Sequence, residues 1–131
     1  KRCATEKGSE MRANDKQIKF WKGMKKNSEG LVPAITIDSV TKEVLMMAYM
    51  SYEAFELTSN TGFMHYYSRS RKAMWKKGES SGQIQRVIEG RIDCDRDTLL
   101  YEVEQTGAAC HTNNKSCFYT KLDDWDGESV E

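Results

Sequence analysis

The sequence predicts an α+β fold, mainly β: a small twisted β-sheet domain carrying one or two short helices. Three observations predict it. From Leu31 onward, short runs rich in β-branched and aromatic residues recur, several of them alternating. Clusters of Gly, Ser, Asn and Asp separate those runs and supply turn chemistry. Helical spacing appears only briefly, and no internal repeat is visible. The 131 residues suit a single domain with a real core.

Composition narrows the function classes. Lys+Arg and Asp+Glu balance at 20 each, so no global charge bias points to nucleic acid or acidic lipid as a partner. No apolar run approaches the roughly 20 residues that span a bilayer. The first 26 residues are polar and charged, without the apolar region of a signal peptide. A soluble, cytoplasmic protein with no membrane partner is expected.

In chain order, residues 1–30 read as a polar N-terminal arm, 31–120 as the domain, and 121–131 as an acidic C-terminal tail. Ile18, Phe20, Trp21 and Met24 stand at helical spacing and allow a short docking helix, although a surface arm without chemistry is the favoured expectation. Residues 31–38 form the first expected strand, with Pro33, the only proline, restricting it to an edge or early position. Residues 39–42 turn the chain, and 43–50 complete a β-hairpin. Met46, Met47 and Met50 belong to core packing rather than to a ligand set.

Ser51 is placed to cap a short helix over residues 52–57 that ends near Gly62. Residues 63–68 make a third strand, in which His65 is assigned to packing or hydrogen bonding. A glycine- and serine-rich turn covers 74–82, a fourth strand 83–92, and a fifth 98–105. Residues 117–120 add a short last strand.

The chemistry concentrates between Arg91 and Cys117. Cys94, Cys110 and Cys117 are spaced C-x15-C-x6-C, without the C-x2-C pairs of structural zinc ribbons; Cys3 stands apart in the arm. In an intracellular chain such clustering favours metal over disulfides. Three thiolates leave one tetrahedral position for water, as a catalytic zinc requires; buried, inert thiols are the alternative. His111 follows Cys110 and suits either a fourth ligand or a general base.

Read as an extended approach to the fifth strand, residues 93–97 would place Asp93, Asp95 and Asp97 on one face and Cys94 on the other. Mg²⁺ would neutralise that carboxylate row, and a solvated acidic edge is the alternative. Arg69 and Arg71 lie among serines, and Trp75, Lys76, Gly78, Glu79 and Ser80 follow, with Gly82 just beyond. Guanidinium forks, hydroxyls and glycine N–H groups of this kind bind phosphate oxygens, although a basic surface loop has the same composition. Trp75 either stacks on a base or caps the core.

Taken together, these segments resemble the phosphoribosyl-AMP cyclohydrolase family of histidine biosynthesis. The matching stretches are Leu31-Val32-Pro33-Ala34-Ile35, residues 43–50, Tyr67-Ser68-Arg69-Ser70-Arg71, residues 75–82, Asp93-Cys94-Asp95-Arg96-Asp97, and Ala109-Cys110-His111-Thr112 through Cys117-Phe118. The resemblance implies hydrolytic opening of the purine ring between N1 and C6 of N1-(5-phosphoribosyl)-AMP, giving the ProFAR imidazole-carboxamide. It implies zinc on Cys94, Cys110 and Cys117, and Mg²⁺ on Asp93, Asp95 and Asp97. It further implies an intertwined homodimer, in which Cys94 meets Cys110 and Cys117 of the other subunit.

The expected mechanism is attack on C6 by a zinc-activated water, with His111 moving the proton and Arg69, Arg71 and Lys76 partnering the substrate phosphate. Two positions depart from the family pattern: Gln83 replaces an expected His, and Asn113 an expected Gly. Gln83 keeps hydrogen bonding but cannot titrate. The main alternative is therefore a non-catalytic zinc-stabilised dimer, a remnant or regulatory member of the family. A nucleic-acid binder using Arg69, Arg71 and Lys72 is disfavoured by the charge balance.

Overall fold

The computed structural model describes residues 13–128, with Cys3 outside them. In order these are α1 (Ala13–Gly23), β1 (Val32–Asp38), β2 (Val44–Met50), α2 (Tyr52–Thr61), β3 (His65–Ser68), β4 (Ala73–Lys76), β5 (Gln85–Ile92), β6 (Leu99–Gln105) and a 3-10 turn at Leu122–Asp124. The strands form one sheet in the order β4-β3-β2-β1-β6-β5. All neighbours run antiparallel except β1 and β6. The mainly-β expectation holds.

The β1–β2 hairpin forms as expected, and its turn is a local side-chain device. Asp38 Oδ1 accepts the N–H groups of Val40 (2.9 Å) and Thr41 (3.0 Å), and Lys42 takes φ 65°. Those donors hold the Asp38 carboxyl below its usual range. β1 is central rather than at an edge, because β6 pairs on its other side. Pro33 is tolerated early in the strand, one residue before the β6 ladder begins at Ala34↔Leu99. Period two also divides the methionines: Met46 and Met50 are buried, whereas Met47 is on the open face at 43% exposure.

Ser51 caps α2 by accepting the Ala54 N–H, and Gly62 closes it in the left-handed conformation. The helix buries Ala54, Phe55 and Thr58. The docking helix before the sheet does form. Trp21 of α1 packs at 5.6 Å from Phe55 and 5.9 Å from Tyr52, and the Gln17 amide donates to Asn60 Oδ1 at 2.8 Å. Met24 is buried in the core and the Lys25 N–H donates to the Arg96 carbonyl, so α1 belongs to the packed unit. No helix among the described residues is long and apolar enough to cross a membrane.

Three element expectations are corrected. The glycine-rich turn starts later than residue 74, because a turn at residues 69–72, with Lys72 at φ 53°, folds Ala73–Lys76 back onto β3 as β4. Residues 93–97 are a hairpin turn, not an extended approach, since the Asp93 carboxylate accepts the N–H groups of Asp97 and Thr98 across it. Residues 117–120 add no strand. Their tie to the sheet is the Cys117 N–H to the Leu45 carbonyl (2.7 Å), and Phe118 and Tyr119 face outward.

The sheet curls until β5 meets the segment before β3: Phe63 bridges Arg86, and the Met64 N–H donates to the Gln85 carbonyl. This curl creates a buried polar chain. The Tyr66 hydroxyl donates to Gln85 Oε1 (2.7 Å) and accepts from the Thr36 hydroxyl (2.8 Å). Gln85 then donates to Gln105 Oε1 (2.8 Å), whose amide reaches the carbonyls of Thr106 (2.9 Å) and Gln83 (3.3 Å). Burial keeps the Tyr66 phenol protonated. Tyr66→Phe leaves two buried groups without this partner and is expected to cost about 1–3 kcal/mol. Urea unfolding checks this, as a lower midpoint at unchanged slope.

Candidate active site

Gln83–Gln85 and Gln105 anchor one end of the β5–β6 hairpin, where two loops face each other. The first runs from Lys76 to Gln83. Gly78 and Gly82 both have positive φ (81° and 78°), and the Gly82 N–H donates to the Gly78 carbonyl at 2.8 Å. The second, residues 108–117, doubles back through bonds from the Ala109 N–H to the Lys115 carbonyl and from the Cys110 N–H to the Asn114 carbonyl. Asn113 takes φ 72° there, the backbone role for which glycine was expected. The Ser116 hydroxyl donates to the Val44 carbonyl at 2.7 Å and fastens the loop to β2. The loops meet where the Gln83 amide donates to Asn113 Oδ1 (3.3 Å).

A cleft of about 510 Å³ opens between them, over Met46. Arg71, Trp75, Lys76, Gly78, Glu79, Ser80, Gln83, His111 and Cys117 all line it. Eight of the nine are substrate-site or catalytic residues expected from the sequence, and Cys117 is an expected zinc ligand. Arg69 does not join them: its guanidinium stacks over the Tyr49 ring at 4.2 Å. The Trp75 ring packs 5.1 Å from Tyr66, and the residue also lines the cleft.

Cys110 and Cys117 lie within hydrogen-bonding reach of one another, and their environments differ. Burial acts to raise the Cys110 thiol, but the Thr112 hydroxyl (2.9 Å), the Thr112 N–H, Cys117 and Lys77 outweigh it, leaving the thiol below its ordinary range. Burial, with Cys110 beside it, pushes Cys117 up to about 11. Lys77 is the residue the sequence reading missed. It is buried beside both sulfurs and donates to the Gln83 carbonyl (3.4 Å). Its burial lowers the ammonium pKa, and the two cysteines act against that. The available signal was a second lysine next to Gly78, which composition alone could not rank above Lys76.

Cys94 is elsewhere. It sits exposed in the hairpin turn between β5 and β6, and the length of β6 separates it from Cys110, about 20 Å at the rise of a strand. Asp93, Asp95 and Asp97 share that turn, with ligand oxygens all within 4.8 Å of one another. The turn, rather than strand periodicity, gathers them. The Asp97 N–H, with help from Thr98 and Arg96, holds the Asp93 carboxyl below its usual range. Neither the carboxylates nor Cys94 line their own chain's cleft.

The donor sets carry a clear chemical reading. Two adjacent sulfurs suit a soft or borderline cation such as zinc but fall short of the usual four ligands. Three close carboxylates suit a hard cation such as Mg²⁺.

Comparison with known proteins finds a matching family and close relatives. A family model described as phosphoribosyl-AMP cyclohydrolase matches residues 46–119. The phosphoribosyl-AMP cyclohydrolase of Archaeoglobus fulgidus is 63% identical over 97 residues, covering 74% of this chain and 90% of its own. Its counterpart in Alkalilimnicola ehrlichii is 60% identical over 105 residues, 80% of this chain and 72% of the relative. That of Methanoregula boonei is 59% identical over 106 residues, 81% of each.

Proposed function

This chain belongs to the phosphoribosyl-AMP cyclohydrolase family, and we propose that it hydrolyses the N1–C6 bond of N1-(5-phosphoribosyl)-AMP in histidine biosynthesis, in the cytoplasm. The observation that carries this reading is one cleft in which a cationic, glycine-containing loop, His111 and Cys117 converge.

Arg71 and Lys76 neutralise substrate phosphate, while Gly78 lets the loop backbone approach it. Trp75 offers a flat surface to the base. His111 takes a proton from the attacking water and delivers one to N1 as the N1–C6 bond breaks, so the water oxygen ends on C6 as the carboxamide carbonyl. Lys77 stands beside the sulfurs, where an ammonium would offset thiolate charge.

Cys110 and Cys117, joined by Cys94 from a second copy, would hold zinc, whose Lewis acidity brings the pKa of water to about 7. Asp93, Asp95 and Asp97 of that same second copy would carry Mg²⁺ to the phosphate side. In a homodimer each hairpin turn would then complete the other subunit's cleft.

A spectroscopic ring-opening assay with zinc and Mg²⁺ supplied tests the activity, and silence would favour the non-catalytic dimer. Within an active protein, His111→Ala is expected to lower kcat at least ~100-fold with zinc content unchanged. Near-wild-type turnover of that variant would remove His111 from the mechanism.

A further inference from the structure

A second concavity, of about 480 Å³, lies at the end of the molecule opposite the cleft, between α1, α2 and the β5–β6 hairpin. Its floor is apolar, formed by Phe55, Leu99 and Tyr101, and its rim carries the cations Lys19 and Arg96 together with Arg91, which is already paired with Glu89 and Glu102. Elsewhere the chain exposes a segment of the opposite character. After Cys117, the side chains of Phe118, Tyr119, Leu122 and Trp125 are 64%, 54%, 84% and 54% exposed, an unusual density of large apolar groups on one short stretch. Asp123, Asp124, Asp126 and Glu128 are interspersed with them. Among the described residues, every hydrogen bond made by residues 119–128 stays within that segment.

We propose that this groove receives the acidic, aromatic arm 118–128 of a second copy of the chain. The inference rests on the reading in which zinc is shared between copies, and it adds the surface that holds those copies together. Two facts favour this occupant. Ile92 and Arg96 of the groove lie within two residues of Cys94, and the arm begins one residue after Cys117. Two sulfurs on one tetrahedral zinc are about 4 Å apart, given Zn–S bonds near 2.3 Å. An arm leaving Cys117 therefore starts beside the other copy's groove, and the eight residues to Trp125 reach up to about 28 Å. The second fact is chemical: an apolar floor with a cationic rim complements apolar side chains set among carboxylates. By two-fold symmetry, each dimer would contain two such arm–groove pairs.

The test uses the zinc-loaded full chain and its dimer dissociation constant from sedimentation equilibrium. The arm variant is Trp125→Ala and the groove variant is Phe20→Asp, on the exposed groove wall of α1. Both side chains are exposed in the single subunit, so its core is untouched and circular dichroism should not change. Each variant alone is expected to dimerise at least ~10-fold more weakly, since a buried aromatic anchor commonly carries that much binding. An equimolar mixture should form heterodimers more tightly than either parent, because the heterodimer regains one intact arm–groove pair. Unchanged dissociation constants would overturn the proposal, as would weakening without recovery on mixing, the result expected if the arm folds onto its own chain. Cys94→Ser separates the two levels. If it loses zinc while the arm variants associate normally, only the arm assignment fails; if it keeps zinc at full stoichiometry, the shared-zinc reading fails.

Discussion

Cys94→Ser and Cys117→Ser proteins should each be inactive alone, and an equimolar mixture of the two should regain about a quarter of wild-type activity. The fraction follows from counting sites. With random pairing, half of the dimers are mixed. In each mixed dimer one site combines both damaged contributions and the other combines both intact ones. The geometry behind this is β6, a strand about 20 Å long that stands between Cys94 and Cys110 within one chain. Subunits would be exchanged in the presence of chelator, reloaded with zinc, and assayed for ring opening, with bound zinc measured in parallel. Recovery of zinc and activity together supports a site completed between copies. If the mixture stays dead while its zinc content matches the unmixed variants, the shared site is wrong, and a ligand from the same chain, such as His111, would have to complete it.

Gly78→Ala should damage the cleft as severely from the other side. Gly78 sits at φ 81°, where a β-carbon is strained, and that atom would lie 2.4 Å from the Gln83 carbonyl carbon and 2.6 Å from the Ile84 nitrogen. Both obstacles are backbone, so no rotamer change relieves them. The left-handed conformation alone costs of order 1–2 kcal/mol for a residue with a side chain, and the clash adds to it by forcing the loop away from Gln83. That movement would unseat the Lys77–Gln83 bond and the Gln83–Asn113 bridge between the loops. A fall in kcat/KM of at least ~10-fold is expected, with lowered thermal stability. Gly82→Ala is the control: its φ is 78°, but nothing lies within 4 Å of an added β-carbon. It should lose stability from strain without the same loss of activity. Equal effects at both glycines would show that close approach to Gln83 is unimportant.

Much of the site was legible because its residues are close in sequence. Trp75 to Gln83 is nearly one loop, so its lysines, glycines and serines stand near one another whatever the fold. Cys110, His111 and Cys117 belong to a second loop short enough that proximity is nearly forced. Lys77 was missed because adjacent lysines look alike in sequence; only the curl of the sheet decides which is buried against the sulfurs. Arg69 lies outside the cleft because its guanidinium stacks over Tyr49 across the β2–β3 pairing, a contact the sequence does not announce.

The carboxylates were grouped correctly through the wrong geometry. Period two requires an extended chain, whereas Asp93 uses its own carboxylate to close a turn. Short polar side chains compete with the ladder in just this way. Turn and strand both bring alternate residues together, so the composition alone could not separate them.

The opening features of the sequence thus settled the fold class, the hairpin, the capped helix and the chemical types assembled in each loop. These depend on local periodicity, on backbone preference and on side-chain donors acting over a few residues. Tertiary structure alone decided where those pieces stand relative to one another. β1 became central because β6 returns beside it in parallel, a pairing between segments more than sixty residues apart. That return sends the hairpin turn to one end of the molecule and the thiol loop to the other. A strand cannot bend to bring its two ends together, so Cys94 and the Cys110–Cys117 pair remain apart within one chain.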